Sequence, residues 1–151
     1  MTAITNLLDR WTNVRARLLE TVDKFAPSEL DFRQFPSSWS VRLLMLHIAH
    51  EEDGEFNYGL TQTLPDFPPE YDPGDYTDLA ALKSLLEHVH HDSHAYLAAL
   101  SDLDLERVIH TPWGADYRLA SMVEHLIEHE IHHRAELSLI LGMLGKQGLS
   151  A

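Results

Sequence analysis

Histidine is the commonest metal ligand and the side chain that exchanges protons near neutral pH, and this chain carries 11 of them. Two, His129 and His133, stand four apart in a segment with helical periodicity. The apolar rhythm of Met122 and Leu126, then Leu137, Ile140 and Leu144, runs straight through them. They therefore occupy positions where a bundle helix places leucine. Their i, i+4 spacing stacks both imidazoles on one face, one turn apart, as a shared ion requires. A third, His47, sits beside Leu43, Leu44 and Ile48 on another inward stripe, with Glu51 one turn on. Three neutral imidazoles with an open fourth position make a catalytic zinc-type arrangement. The plainer alternative is a set of core histidines hydrogen-bonded to nearby acids, because an unpaired polar group in a core is costly.

The remaining histidines separate by position. His88, His91 and His94 fall near helical spacing, and His90 and His94 form another i, i+4 pair, but they lie among Glu87 and Asp92 without a clear inward face. His125 stacks one turn before His129, where it can support a site. His50, His110 and His132 are expected at the surface or its boundary.

The run His129-Glu130-Ile131-His132-His133 also matches H-E-x-x-H, in which two His bind zinc and the Glu activates water. Its surroundings argue against a peptidase. The longer form of the motif needs Gly at 136 and His at 139, where this chain has Glu136 and Leu139. A third-ligand Glu further downstream is missing too, since Glu136 is the last Glu of the chain.

The elements that would position these residues are long. A first helix is predicted from about Thr2 to Phe25, with Ile4, Leu7, Leu8, Trp11, Val14, Leu18 and Val22 along one face. Ser40 caps a second, roughly Val41 to Thr61. A stretch from Gln62 to Asp78 holds Pro65, Pro68, Pro69, Pro73 and Gly74 and reads as a loop. A loop of that length usually crosses over or covers a site, and Tyr71 and Tyr76 place aromatic rings in it. A third helix follows from about Asp78 to Leu100. Val108 to Arg118, with Pro112, Trp113 and Gly114, reads as a small hairpin or an irregular link. The fourth helix covers roughly Leu119 to Leu144, with Ser121 and Glu124 matching a capping box unless it starts a turn earlier. Four helices of similar length pack side by side, so the fold class expected is all-α, a four-helix bundle with a long loop between helices 2 and 3, formed by residues 1–151 as one domain.

Composition narrows the function. Eleven Lys and Arg against 24 Asp and Glu leave a formal net charge of −13. Such a chain repels phosphate backbones and anionic bilayers, so neither nucleic acid nor a membrane is an expected partner. There is no Cys, which excludes disulfides, thiolate metal sites and a cysteine nucleophile. No basic start with a continuous apolar stretch marks a signal peptide, and no apolar run approaches the roughly 20 residues of a bilayer span. A soluble cytoplasmic protein is the expectation.

Several pieces, taken in order, resemble the DinB/YfiT-like superfamily of metal-binding four-helix bundles. They are Pro36-Ser37-Ser38-Trp39-Ser40-Val41 leading into His47-Ile48-Ala49, then Thr111-Pro112-Trp113-Gly114, then the run from His125 to Arg134. The resemblance implies one ligand on the second helix and an H-x-x-x-H pair on the last, which fall on His47, His129 and His133. The family often continues His-Arg-Gly-Gln, where this chain has His133-Arg134-Ala135-Glu136. Glu for Gln adds a charge near the site, and Ala for Gly removes a close backbone approach.

A metal on three His can lower the pKa of bound water or hold a thiol as thiolate. Relatives implied by the resemblance include thiol-dependent transferases and isomerases using a low-molecular-weight thiol, and the lack of Cys is compatible with the thiol as cosubstrate. The expected cofactor is a divalent transition metal, Zn²⁺ or Ni²⁺ foremost, since imidazole suits several such ions. Glu51 and Glu130 are the candidate proton-transfer groups, although acids on solvated helix faces are the ordinary alternative. Arg134 is the candidate for orienting a small-molecule substrate, with a surface salt bridge as its alternative. The competing class is a non-catalytic metal-binding, stress-associated protein, and a third is a structural bundle without metal. A homodimer is expected from the resemblance alone.

Overall fold

The structure, a computed structural model, describes residues 1–148. Four helices dominate it: α1 Ala3–Val22, α2 Val41–Gly54, α3 Leu79–Ala98 and α4 Leu119–Met143. They form the expected four-helix bundle. α1 packs on α3 and α4, and α2 also packs on α3 and α4, so α1 and α2 face each other across the bundle diagonal. The chain therefore does not wind from neighbour to neighbour in sequence order.

Helix ends follow local chemistry. Thr2 caps α1 through its side chain, and the Asp102 carboxylate accepts from the backbone N–H of Ala3 at 3.0 Å and Ile4 at 2.9 Å. Ser40 caps α2 as expected, accepting from the Leu43 N–H at 3.2 Å. At α4 the capping-box reading fails. The helix begins at Leu119 with Arg118 as its cap residue, because the preceding hairpin delivers the chain a turn earlier and puts Ser121 inside the helix. That hairpin pairs β1 Val108–His110 antiparallel with β2 Asp116–Arg118.

The second helix is shorter than its periodicity suggests. After Gly54 it widens into a π-helical turn, Glu55–Leu60, before the loop. The loop folds back over α2: the Phe67 ring packs so close to Gly54 that a Cβ there would lie 2.2 Å from Phe67 Cζ. His50 Nε2 meets the Pro68 carbonyl at 2.8 Å, and the Tyr71 hydroxyl donates to Asp53 Oδ2 at 3.0 Å.

Two apolar clusters make the core. One gathers Leu18, Val22, Met45, Ile48, Leu86, Leu137 and Ile140, the other Leu8, Trp11, Phe56, Leu97, Met122 and Ile127. Between them in sequence on every helix lies a charged layer. Arg15 Nη2 pairs with Glu52 Oε2 and with Glu130 Oε2, the latter at 2.9 Å, and Arg15 Nη1 donates to the Leu86 carbonyl at 3.0 Å. Trp11 Nε1 donates to Glu130 Oε2 at 3.1 Å, and His90 Nδ1 lies 3.2 Å from Glu52 Oε1. Burial acts to lower the pKa of Arg15, but Glu52 and Glu130 outweigh it and raise the value. Burial likewise works against ionised Glu52, yet Arg15 and His90 prevail and lower its pKa. At Glu130 burial wins over Arg15 and the carboxyl is pushed up. Such a layer ties all four helices at one level, because a buried charge is tolerated only where its partners are held in place.

Candidate metal centre

Glu52 and Glu130 stand next in sequence to Glu51 and His129, so the charged layer anchors the backs of α2 and α4 where their other faces carry the histidines. On that side, His47, His129 and His133 converge: their candidate ligand nitrogens all lie within 4.8 Å of one another. His129 Nε2 and His47 Nε2 are 3.0 Å apart. The His47 and His133 rings are 4.8 Å apart between centroids, and those of His129 and His133 are 4.5 Å apart. The triad is half-buried to buried.

The donor chemistry fits a transition metal. Burial, then the neighbouring His133, lowers the pKa of His47 to about 4 and that of His129 to about 3. Both rings are therefore neutral at neutral pH, which is the form that ligates. Two imidazole nitrogens 3.0 Å apart are joined either by a shared proton or by an ion between them, and the third ring supplies a further nitrogen to the same space. No carboxylate joins all three rings within that radius among the described residues.

The other candidates are placed differently. Glu51 reaches the rim, with Oε1 3.9 Å from His47 Nδ1 and 3.8 Å from His50 Nδ1. Glu130 is not brought to the site. Its carboxylate is turned into the charged layer, 2% exposed and bonded to Arg15 and Trp11, because one residue along a helix rotates the side chain by about 100°. Arg134 has no hydrogen bond or ion pair to the triad among the described residues, and its Nη1 is buried without a hydrogen-bond partner. His50 is buried rather than peripheral, held under the loop by Pro68. His125 is largely exposed and pairs with Glu55 at 3.2 Å. His90 turns inward to Glu52, while His88 and His91 stay in solvent.

Two residues of the site were not singled out from the sequence as site residues. Trp39, just before the Ser40 cap, lays its ring 4.4 Å from that of His47 and 6.1 Å from that of His133. Its neighbour in the cleft is the long loop: Trp39, His47, His50, Glu70 and Tyr71 line a small cavity of about 90 Å³ beside the triad. Glu136 Oε2 lies 2.5 Å from His133 Nδ1. The i, i+3 spacing of His133 and Glu136 was the available signal for that contact.

The profile of the DinB superfamily matches residues 10–137. The chain belongs to the DinB superfamily. Solved structures agree with this DinB assignment at the level of fold. A DinB-like protein from Bacillus cereus ATCC 10987 superposes with a TM-score of 0.73 at 18% identity, over 96% of this chain and 95% of that one. YfiT from Bacillus subtilis, described as "a probable metal-dependent hydrolase with an unusual four-helix bundle topology", superposes with a TM-score of 0.72 at 22% identity, over 95% of this chain and 89% of that one. A mycothiol-dependent maleylpyruvate isomerase superposes with a TM-score of 0.62 at 13% identity, over 86% of this chain and 59% of the longer isomerase. A comparison with curated proteins finds no match. No helix among the described residues is long and apolar enough to cross a membrane.

Proposed function

We propose that this DinB-superfamily chain is a metal-dependent enzyme acting on a small molecule, with one divalent transition-metal ion, Zn²⁺ or Ni²⁺, held by His47, His129 and His133. The observation that carries the reading is the convergence of three imidazoles, from two helices that are far apart in sequence, within 4.8 Å. An ion bound there supplies a Lewis acid that makes water or a thiol nucleophilic at neutral pH. Among the described residues no carboxylate lies within 4.8 Å of all three ligand nitrogens, which suits an open site better than a closed structural one.

The chain's own groups divide the remaining work. Glu136 holds the His133 ring by its Nδ1. Trp39 packs its ring against that of His47, 4.4 Å away between centroids. Glu51, on the rim and 26% exposed, is the group placed to accept a proton from an incoming nucleophile. The fold neighbours bring two reaction classes to this chain as proposals, hydrolysis and transfer or isomerisation with a low-molecular-weight thiol as cosubstrate. The homodimer and the cytoplasmic location belong to the same reading, and sedimentation of untagged protein checks the first.

The deciding experiment is elemental analysis of untagged protein alongside His47→Ala, His129→Ala and His133→Ala. About one transition metal per chain, lost in each variant, supports the site and justifies screening thiols with electrophilic and hydrolysable substrates. Protein that carries no metal and takes up neither Zn²⁺ nor Ni²⁺ sinks the proposal.

A further inference from the structure

Toward the hairpin from the triad, the bundle opens into a groove of about 380 Å³ lined by Glu55, Trp113, Tyr117, Ser121, Met122 and His125. That volume lies in the range of small-molecule pockets. Its position relative to the candidate metal centre is set by helical spacing. His125 precedes His129 by four residues on α4, and Glu55 follows His47 by eight along the α2 run, so the groove begins about one turn from the triad on α4 and about two turns from it on the other side.

The groove has two unlike ends. Near the triad it is polar, with His125 Nε2 3.2 Å from Glu55 Oε1. Away from the triad it is aromatic. Trp113 is 46% exposed and Tyr117 43% exposed, so two large rings are left in contact with water where burial would be favourable. They are not left out by looseness of the chain. The turn that carries Trp113 is closed by the Gly114 N–H donating to the Thr111 carbonyl at 3.0 Å and the Thr111 hydroxyl donating to the Ala115 carbonyl at 2.6 Å. The Trp113 ring also rests on Gly59, where a Cβ would lie 2.5 Å from Cη2 and 3.3 Å from Met122 Cε. The Thr111-Pro112-Trp113-Gly114 motif thus builds a fixed aromatic wall, a role that the metal centre itself does not require.

We propose that this groove binds the body of the substrate, a flat aromatic or similarly apolar group without negative charge, and points its polar end past Glu55 and His125 toward the triad. Aromatic side chains recognise such a body by offset or edge-to-face contact. The Glu55–His125 pair offers hydrogen bonds to a polar substituent. An anion is disfavoured by Glu51 and Glu55 along one side and by the net charge of −13. The direction in which the ligand lies rests on the metal reading above, whereas its binding does not.

The test uses N-phenyl-1-naphthylamine, an uncharged aromatic probe that fluoresces in apolar sites, titrated into the full-length untagged protein. Saturable one-site binding is expected, weakened at least tenfold by Trp113→Ala and by Ser121→Phe, which fills the groove from α4 without removing a wall. His129→Ala, which abolishes the proposed metal site, is expected to keep the probe affinity, so the failure of one proposal is distinguishable from that of the other. The anionic 8-anilino-1-naphthalenesulfonate is expected to bind at least tenfold more weakly than the neutral probe. Absence of saturable binding, wild-type affinity in Ser121→Phe, or equal affinity for the anion overturns the inference. Should Trp113→Ala fail to fold, Ser121→Phe carries the test alone.

Discussion

His133 points its Nδ1 at Glu136 Oε2, 2.5 Å away. A carboxylate only accepts, so the ring donates there, and in the neutral ring Nε2 is then the nitrogen that can act as a ligand. A carboxylate behind a ligating imidazole fixes the ring's orientation and raises its basicity. Glutamine at 136 can still hold the ring through its carbonyl but supplies no charge. Glu136→Gln is therefore expected to weaken metal binding by about 10- to 100-fold, measured by competition with a chromophoric chelator, with helix content unchanged. Unaltered affinity would show that Glu136 does not tune the site.

The charged layer makes a second, independent prediction. Arg15 is 4% exposed and balances Glu52 and Glu130, so removing it strands two carboxyl groups in the core. Arg15→Ala is expected to cost about 3–5 kcal/mol of folding free energy in urea titration. A loss under about 1 kcal/mol would mean that water or a neighbouring group compensates the layer.

Acid should weaken the metal-free fold in a defined window. In the unfolded chain His47 and His129 titrate near 6.5, while in the folded protein their values are lowered to about 4 and about 3. Below about pH 6.5 the unfolded chain takes up protons that the folded chain refuses, so stability falls with pH until the folded rings titrate too. The melting temperature of the metal-stripped protein is expected to drop between about pH 7 and pH 4, and a His47→Gln/His129→Gln variant should show a shallower drop. Equal pH dependence in both proteins would assign the acid sensitivity to other groups.

Gly54 lies directly beneath Phe67. A methyl group at Gly54 must push that ring away and with it the loop that carries Glu70 and Tyr71 to the His47 cleft. Gly54→Ala is expected to speed proteolysis within residues 62–78 at least severalfold while α-helical content stays constant. Unchanged cleavage would mean that Pro68 and Tyr71 hold the loop without Phe67.

Much of this arrangement was legible in the residues themselves. Helical periodicity located four long helices, because buried faces must repeat every 3.6 residues, and the leucine-like positions of His129 and His133 marked them as candidate ligands. The Ser40 cap was equally local, since a hydroxyl and an N–H three residues on suffice to define it. Helix pairing was not local. The diagonal relation of α1 to α2 follows from packing among all four faces, and it alone brings Arg15 to Glu52. Glu130 illustrates the limit: helical register turns it to a different face of α4 from His129, but only the folded bundle shows that Arg15, more than a hundred residues earlier, meets it there. Trp39 and the proline-rich loop reach His47 only once the chain has folded back on α2. Residue type and spacing thus determined the elements and the candidate ligands, because periodicity and capping act over a few residues. The tertiary structure decided which acids attend the triad and which are spent in the core, because partners for a buried charge are selected across the bundle rather than along the chain.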